Sequence, residues 1–106
     1  MDNILDFGFA SPEEVCKALG ARLKAQRLAQ SITQSELAAR AGVSAGTVKN
    51  LESKGQSSMD SIVRVGLVLG LTDDLQTLFT LKVKSIAQME QAEQAKRVRA
   101  SRKKGR

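Results

Sequence analysis

The chain contains no histidine, tryptophan or tyrosine, one cysteine (Cys16) and one proline (Pro12). With no imidazole and a single thiol, a Cys/His zinc site and an intramolecular disulfide are both excluded. Cys16 lies on a helical stretch and reads as a small packing residue. The only aromatics are three phenylalanines, too few for a platform on which single-stranded bases stack. The core must therefore rest on Leu, Val, Ile and Ala, which suits a helical bundle. No apolar run approaches a membrane span. The N-terminal MDNILDFGFA carries acids where a signal peptide carries bases, and its apolar run is short and broken, so a cytoplasmic protein is expected. A Gly-rich phosphate loop is missing, as is a thiol with a base partner. The acid pairs Glu13/Glu14 and Asp73/Asp74 each open a helix, where the helix dipole accounts for them. No catalytic residue, metal or cofactor is expected, and the chain does not read as an enzyme.

What the chain has in excess is positive charge, and only at one end. The net charge is +6. Residues 1–81 carry eight bases against nine acids, whereas residues 82–106 carry nine bases against two acids. A nearly neutral folded part must hold phosphates with a few placed cations and helix N-termini, while the tail supplies nonspecific attraction. At 106 residues there is room for one small domain and an appendage. The division read from composition is an arm at 1–10, a domain at 11–81 and a basic tail at 82–106.

Along the arm, the alternation of Leu5, Phe7 and Phe9 beside Ile4 permits either a short strand or an arm packed on the domain. Ser11 and Glu14 form a capping box, and Pro12 takes the first helical position, so helix one is predicted over 12–29. Its apolar face is read as Val15, Leu19 and Leu23, with Leu28 as a further candidate. Arg22, Lys17 and Lys24 are left to solvent. Gly20 weakens this helix and allows a break there. Ser58 caps a fourth helix over 59–69; its valines would also fit a strand, but the cap favours helix. It is apolar on more than one face, and Gly70 stops it. Thr72 is read as the cap of a short fifth helix through Leu75, Leu78 and Phe79. Surplus apolar surface on these last two helices is the natural dimer seam. From Ser85 to Ala95 the tail is rich in helix formers, with Ile86, Met89 and Ala92 along one side; RVRASRKKGR after it has nothing to form a core and is expected to be mobile.

The most informative stretch is TQSELAARAGVSAGTVKNLESKG, from Thr33 to Gly55. Thr33 and Glu36 make a second capping box, which starts a helix at Gln34. Gly42 supplies the left-handed backbone of a sharp turn. Val43 plugs the corner, and Ser44 caps a helix with Val48 and Leu51 on one face. Two helices joined this tightly cross steeply.

At these residues the chain resembles the lambda-repressor/Cro-like, or XRE, helix-turn-helix family. The match runs from about Leu19 to Leu71 and includes Gln34, Glu36, Leu37, Ala38, Gly42, Val43, Ser44, Val48, Leu51 and Glu52. It implies an all-α fold, a five-helix domain, dimeric, bound to a pseudo-palindromic duplex DNA operator. It also implies an ion pair between Arg27 and Glu52 that ties helix one to the recognition helix. Carried over by position, Gln34 anchors a phosphate, and Ser44, Ala45, Gly46, Thr47, Lys49 and Asn50 hold the exposed face of the recognition helix. Asn50 suits a bidentate contact to adenine, and Lys49 a donation to guanine O6 or N7. Ser57, Ser58 and the amides that follow clamp the opposite phosphate with Lys54 nearby. The bland alternative is that Lys49, Asn50 and Lys54 are ordinary solvated polar residues. Ala45 and Gly46 depart from the long polar readers of many relatives, which implies close approach to the groove floor or a thymine-methyl contact through Ala45.

The leading expectation is a sequence-specific transcriptional repressor. Size, the layout around SSMDSIVRVGLVLGLTDDL and the basic end resemble HipB-like antitoxins, which autorepress their operon and bind a HipA-like kinase toxin. A free-standing phage or chromosomal regulator is the alternative. A third reading is an interaction module that chiefly restrains a toxin through the arm and tail. No ligand-sensing domain is expected, which leaves regulation to protein partners, dimer dissociation or proteolysis.

Overall fold

The computed structural model describes residues 5–82 and 86–104. Its elements are α1 (Pro12–Ala29), α2 (Gln34–Ala41), α3 (Ala45–Lys54), α4 (Met59–Val68), α5 (Thr72–Thr77) and α6 (Ile86–Lys104), with no strand among the described residues. α1 packs on α3, α2 on α3 and α4, and α4 on α5. The core is Ile32, Leu37, Ala38, Ala41, Val48, Leu51, Val65 and Leu69, flanked by Leu23, Val43, Ile62, Val68 and Leu71.

Local chemistry sets most helix starts. Ser11 and Glu14 exchange hydrogen bonds at the head of α1, as do Thr33 and Glu36 at the head of α2. Ser44 Oγ accepts the Thr47 amide, and Ser58 Oγ accepts the Ser61 amide. Between α2 and α3 the chain turns at Gly42, whose φ of 71° is left-handed. At the far end of the bundle Gln30 Nε2 donates to the Leu69 carbonyl over 2.8 Å, pinning the exit of α1 to the exit of α4.

Several expectations are corrected. Six helices lie among the described residues, five of them within 11–81, and the sixth, α6, carries the helix read over the start of the tail on through RVRASRKK, the stretch expected to be mobile, to Lys104. Ala, Arg, Lys, Gln and Glu are strong helix formers, and neither glycine nor proline interrupts 86–104; a stretch without a core still takes up a helix. Ser85 lies outside the described residues. Of the two readings of the arm the strand is not seen: residues 5–10 form turns and bends, with Asp6 accepting the Gly8 amide through its carboxylate and the Phe9 amide through its carbonyl, and the arm touches the domain where the Arg22 guanidinium of α1 lies 5.1 Å from the Phe7 ring centroid. Ile4 lies outside the described residues. α5 is not capped by Thr72. Leu71 is its N-cap with no side-chain bond, and the helix ends at Thr77, leaving Leu78 and Phe79 beyond it. The Leu71 amide donates to the Gly66 carbonyl as α4 ends, while its own carbonyl accepts the Leu75 amide. One residue thus closes α4 and opens α5.

On α1 the inward face is Gly20, Leu23 and Arg27, while Leu19 and Leu28 stand exposed. The helix does not break at Gly20. Of the apolar residues read for this face, Val15 and Leu23 are half-buried and Leu19 and Leu28 are not; the two buried positions are a glycine and an arginine, which apolar spacing does not mark.

Candidate nucleic-acid interface

The second and third helices are joined by a three-residue turn, Gly42, Val43 and Ser44. α3 is anchored from beneath: Val48, Leu51 and Glu52 are buried on its inner face. Its outer face is thereby fixed. Ser44, Ala45, Gly46, Lys49 and Asn50 are exposed, and Thr47 is half-buried. The Ser44 and Thr47 hydroxyls bond each other at 2.9 Å, so the head of α3 presents a rigid hydroxyl pair. Lys54 lies exposed in the last turn of α3, followed by the exposed Ser57 and Ser58; the Ser58 hydroxyl is engaged with Ser61.

Beneath α3 an ionic network joins three helices. Arg27 donates from Nε to Glu52 Oε2 at 2.6 Å and from Nη2 to Oε1 at 3.0 Å. A third donation, Nη1 to the Ile32 carbonyl at 2.8 Å, fixes the turn that leads into α2. Gln34 Nε2 donates to Glu52 Oε1 at 2.9 Å. The Arg27 and Glu52 side chains are 8% and 3% exposed. Hydrogen bonding to Glu52 raises the Arg27 pKa despite burial. Burial pushes the Glu52 carboxyl up, but hydrogen bonds from Arg27 and Gln34, with the charges of Arg27 and Lys24, outweigh it and hold the group below the usual carboxylate value. Both partners are charged at neutral pH. Among the described residues no buried side-chain nitrogen or oxygen lacks a partner.

The Gln34 amide, at the first position of α2, is thus tied down by Glu52 rather than free. Lys24, Gln34, Lys49, Glu52 and Ser53 line one open cleft between α1, α2 and α3. Lys24 and Ser53 are members that sequence reasoning left out. Lys24 sits one turn before Arg27 on α1, and that spacing was the signal available. The structure brings Gln34 and Lys49 together across this cleft, which Asn50 does not line.

Among the described residues there is no cluster of three metal-ligating side chains and no helix long and apolar enough to cross a membrane. No curated protein matches the chain. Residues 23–76 match the helix-turn-helix family model, covering the end of α1, the ionic network, the turn, the outward face of α3 and all of α4. With half of its length in that match, the chain belongs to the helix-turn-helix family and is a DNA-binding transcription regulator.

Proposed function

We propose that the chain is a sequence-specific repressor that binds a pseudo-palindromic operator as a homodimer, with α3 in the major groove. The observation that carries this reading is the division of α3. Its inner face is locked by Val48, Leu51 and the Glu52 ion pair, and its outer face is polar or bare from Ser44 to Asn50. A helix so held is a rigid probe for base edges. Asn50 reads adenine, Ala45 and Gly46 allow close seating, and Ser44 and Thr47 present hydroxyls to the groove. Lys54, Ser57 and Ser58 face the backbone on the other side. Selection from random duplex DNA is the test: enrichment of an inverted repeat with half-sites about one helical turn apart supports the reading. Recovery of no preferred sequence overturns it.

The dimer is supported by apolar surface on and beyond α4 and α5. Met59, Leu67, Leu78, Phe79 and Leu81 are exposed, and Phe79, 84% exposed, adopts a φ of 61°. A bulky residue at positive φ is strained by about 1–2 kcal/mol. Sedimentation of wild type against Phe79→Ser tests the seam through a loss of dimer.

A second role, as the antitoxin partner of a HipA-like kinase, is supported by apolar side chains outside the core. Phe9 in the arm and Ile86, Met89 and Val98 on α6 are all exposed. Purification from the native host after a nuclease wash decides it. A stoichiometric kinase-like protein supports the antitoxin reading, and a clean homodimer favours a free-standing regulator.

A further inference from the structure

Three side chains around the cleft beside α3 share a chemistry that base reading does not use. We propose that Lys24 and Lys49 join Gln34, for which the family resemblance already implies a phosphate contact, in seating one and the same backbone phosphate of duplex DNA, so that Lys49 is a phosphate ligand and not a reader of guanine. The proposal rests on the DNA-binding reading above and deepens it.

The three residues come from α1, α2 and α3 and line the same cleft. Lys24 and Lys49 are exposed, and the only ion pairs among the described residues are Arg27–Glu52 and Arg64–Asp60. Among the described residues, neither ammonium group is held in an ion pair. A lysine serves phosphate as a flexible point charge. Gln34 contributes differently. One N–H of its amide is given to Glu52 at 2.9 Å, which fixes the group and leaves the second N–H for a ligand.

The objection to an anion here is the Glu52 carboxylate at the base of the cleft. That charge is already matched: Glu52 accepts two hydrogen bonds from Arg27 and one from Gln34, and its side chain is almost fully buried. Lys24 lies near enough for its charge to act on Glu52 as well. What remains at the opening is two cations and an amide with one N–H already committed to Glu52, a set suited to one phosphate.

The test is the salt dependence of binding to a mixed-sequence duplex three helical turns long, using the full chain. Each phosphate neutralised contributes about 0.9 to the slope of log K against log salt. If the two lysines share one phosphate, Lys24→Gln and Lys49→Gln each lower the slope by less than about 0.9, and the double variant lowers it by about 0.9 in total. Lys17→Gln, elsewhere on α1, leaves the slope unchanged. In selection from random duplexes, Lys49→Gln retains the wild-type base preference. A double-variant loss near 1.8 would assign the lysines to separate phosphates and overturn the shared seat. A changed base preference with an unchanged slope would return Lys49 to base reading, and no effect on either would remove both lysines from the contact. If wild type shows no salt-dependent duplex binding at all, the DNA-binding reading itself fails and takes the seat with it.

Discussion

Gly20 on α1 and Gly55 at the end of α3 abut so closely that neither can carry a side chain. A Cβ on Gly20 would overlap the Leu51 carbonyl oxygen and stand 3.1 Å from the Gly55 nitrogen; one on Gly55 would overlap the Cys16 carbonyl. Gly55 also has a φ of 68°, a conformation that L side chains rarely adopt. The approach lets α1 deliver Arg27 to Glu52. Gly46 is the opposite case: an added Cβ meets nothing nearer than Ser44 Oγ at 3.8 Å.

The contrast separates stability from binding. Gly20→Ala gains helix propensity but forces backbone apart, and a net loss of about 1–3 kcal/mol in urea unfolding is expected. Gly46→Ala should be neutral or stabilising by about 0.5 kcal/mol, because the fold makes no demand for glycine there. If close seating on DNA is why Gly46 is bare, the same substitution weakens specific binding while it stabilises the protein. Unchanged affinity in Gly46→Ala would show that the groove does not use the space.

The ion pair gives a prediction in pH. Glu52 titrates below its ordinary value of 4.5 when folded, so its contribution is fully present above that value and is lost as pH falls through the lower folded one. Glu36, lowered first by its backbone hydrogen bond with Thr33, acts in the same window. Arg27 stays charged throughout. Glu52→Ala strands a buried guanidinium and should cost about 3–5 kcal/mol, and Arg27→Met/Glu52→Leu should recover most of that loss. Acid unfolding of the double variant should be less steep than wild type, with the remaining slope carried by Glu36 and other carboxylates. Equal slopes would mean that Glu52 titrates alike in the folded and unfolded chains.

Helix caps were legible in the sequence because they are local. Ser11 with Glu14, Thr33 with Glu36, Ser44 and Ser58 each need only neighbours within three positions, and the turn at Gly42 needs only its own φ. On the inward face of α1, Leu23 was legible from its apolar spacing and Arg27 only through the family resemblance, while Gly20 was not legible, since it takes a core position only because α3 brings the Leu51 carbonyl against it. The start of α5 was missed for a similar reason: Leu71 is placed by its bond to Gly66, and no side-chain cap marks it. On α3 the buried set Val48, Leu51 and Glu52 shows which residues face outward. The cleft that groups Lys24 with Lys49 joins three helices and has no signature within any one of them.

Asn50 is exposed on α3 and does not line the cleft of Lys24, Gln34 and Lys49, so its loss should act on sequence preference alone. Asn50→Ala is expected to relax one base position in each half-site by about 1–3 kcal/mol of discrimination and to leave the salt slope intact. Random-duplex selection with the variant measures this directly. An unchanged consensus would remove Asn50 as a reader.

α6 carries Lys96, Arg97 and Arg99, all exposed, on a chain whose first 81 residues have one more acid than base. Such a helix should add affinity for any duplex without adding preference. Replacing the three by glutamine keeps helix propensity and should reduce the salt slope by about 0.9 for each base that reaches a phosphate, with the selected consensus unchanged. An unchanged slope would mean that these bases do not reach the duplex. The exposed Ile86 and Met89, one turn apart on the same helix, would then favour a protein partner, and co-purification with the native host's proteins, compared between wild type and Met89→Gln, would decide whether the helix docks through them.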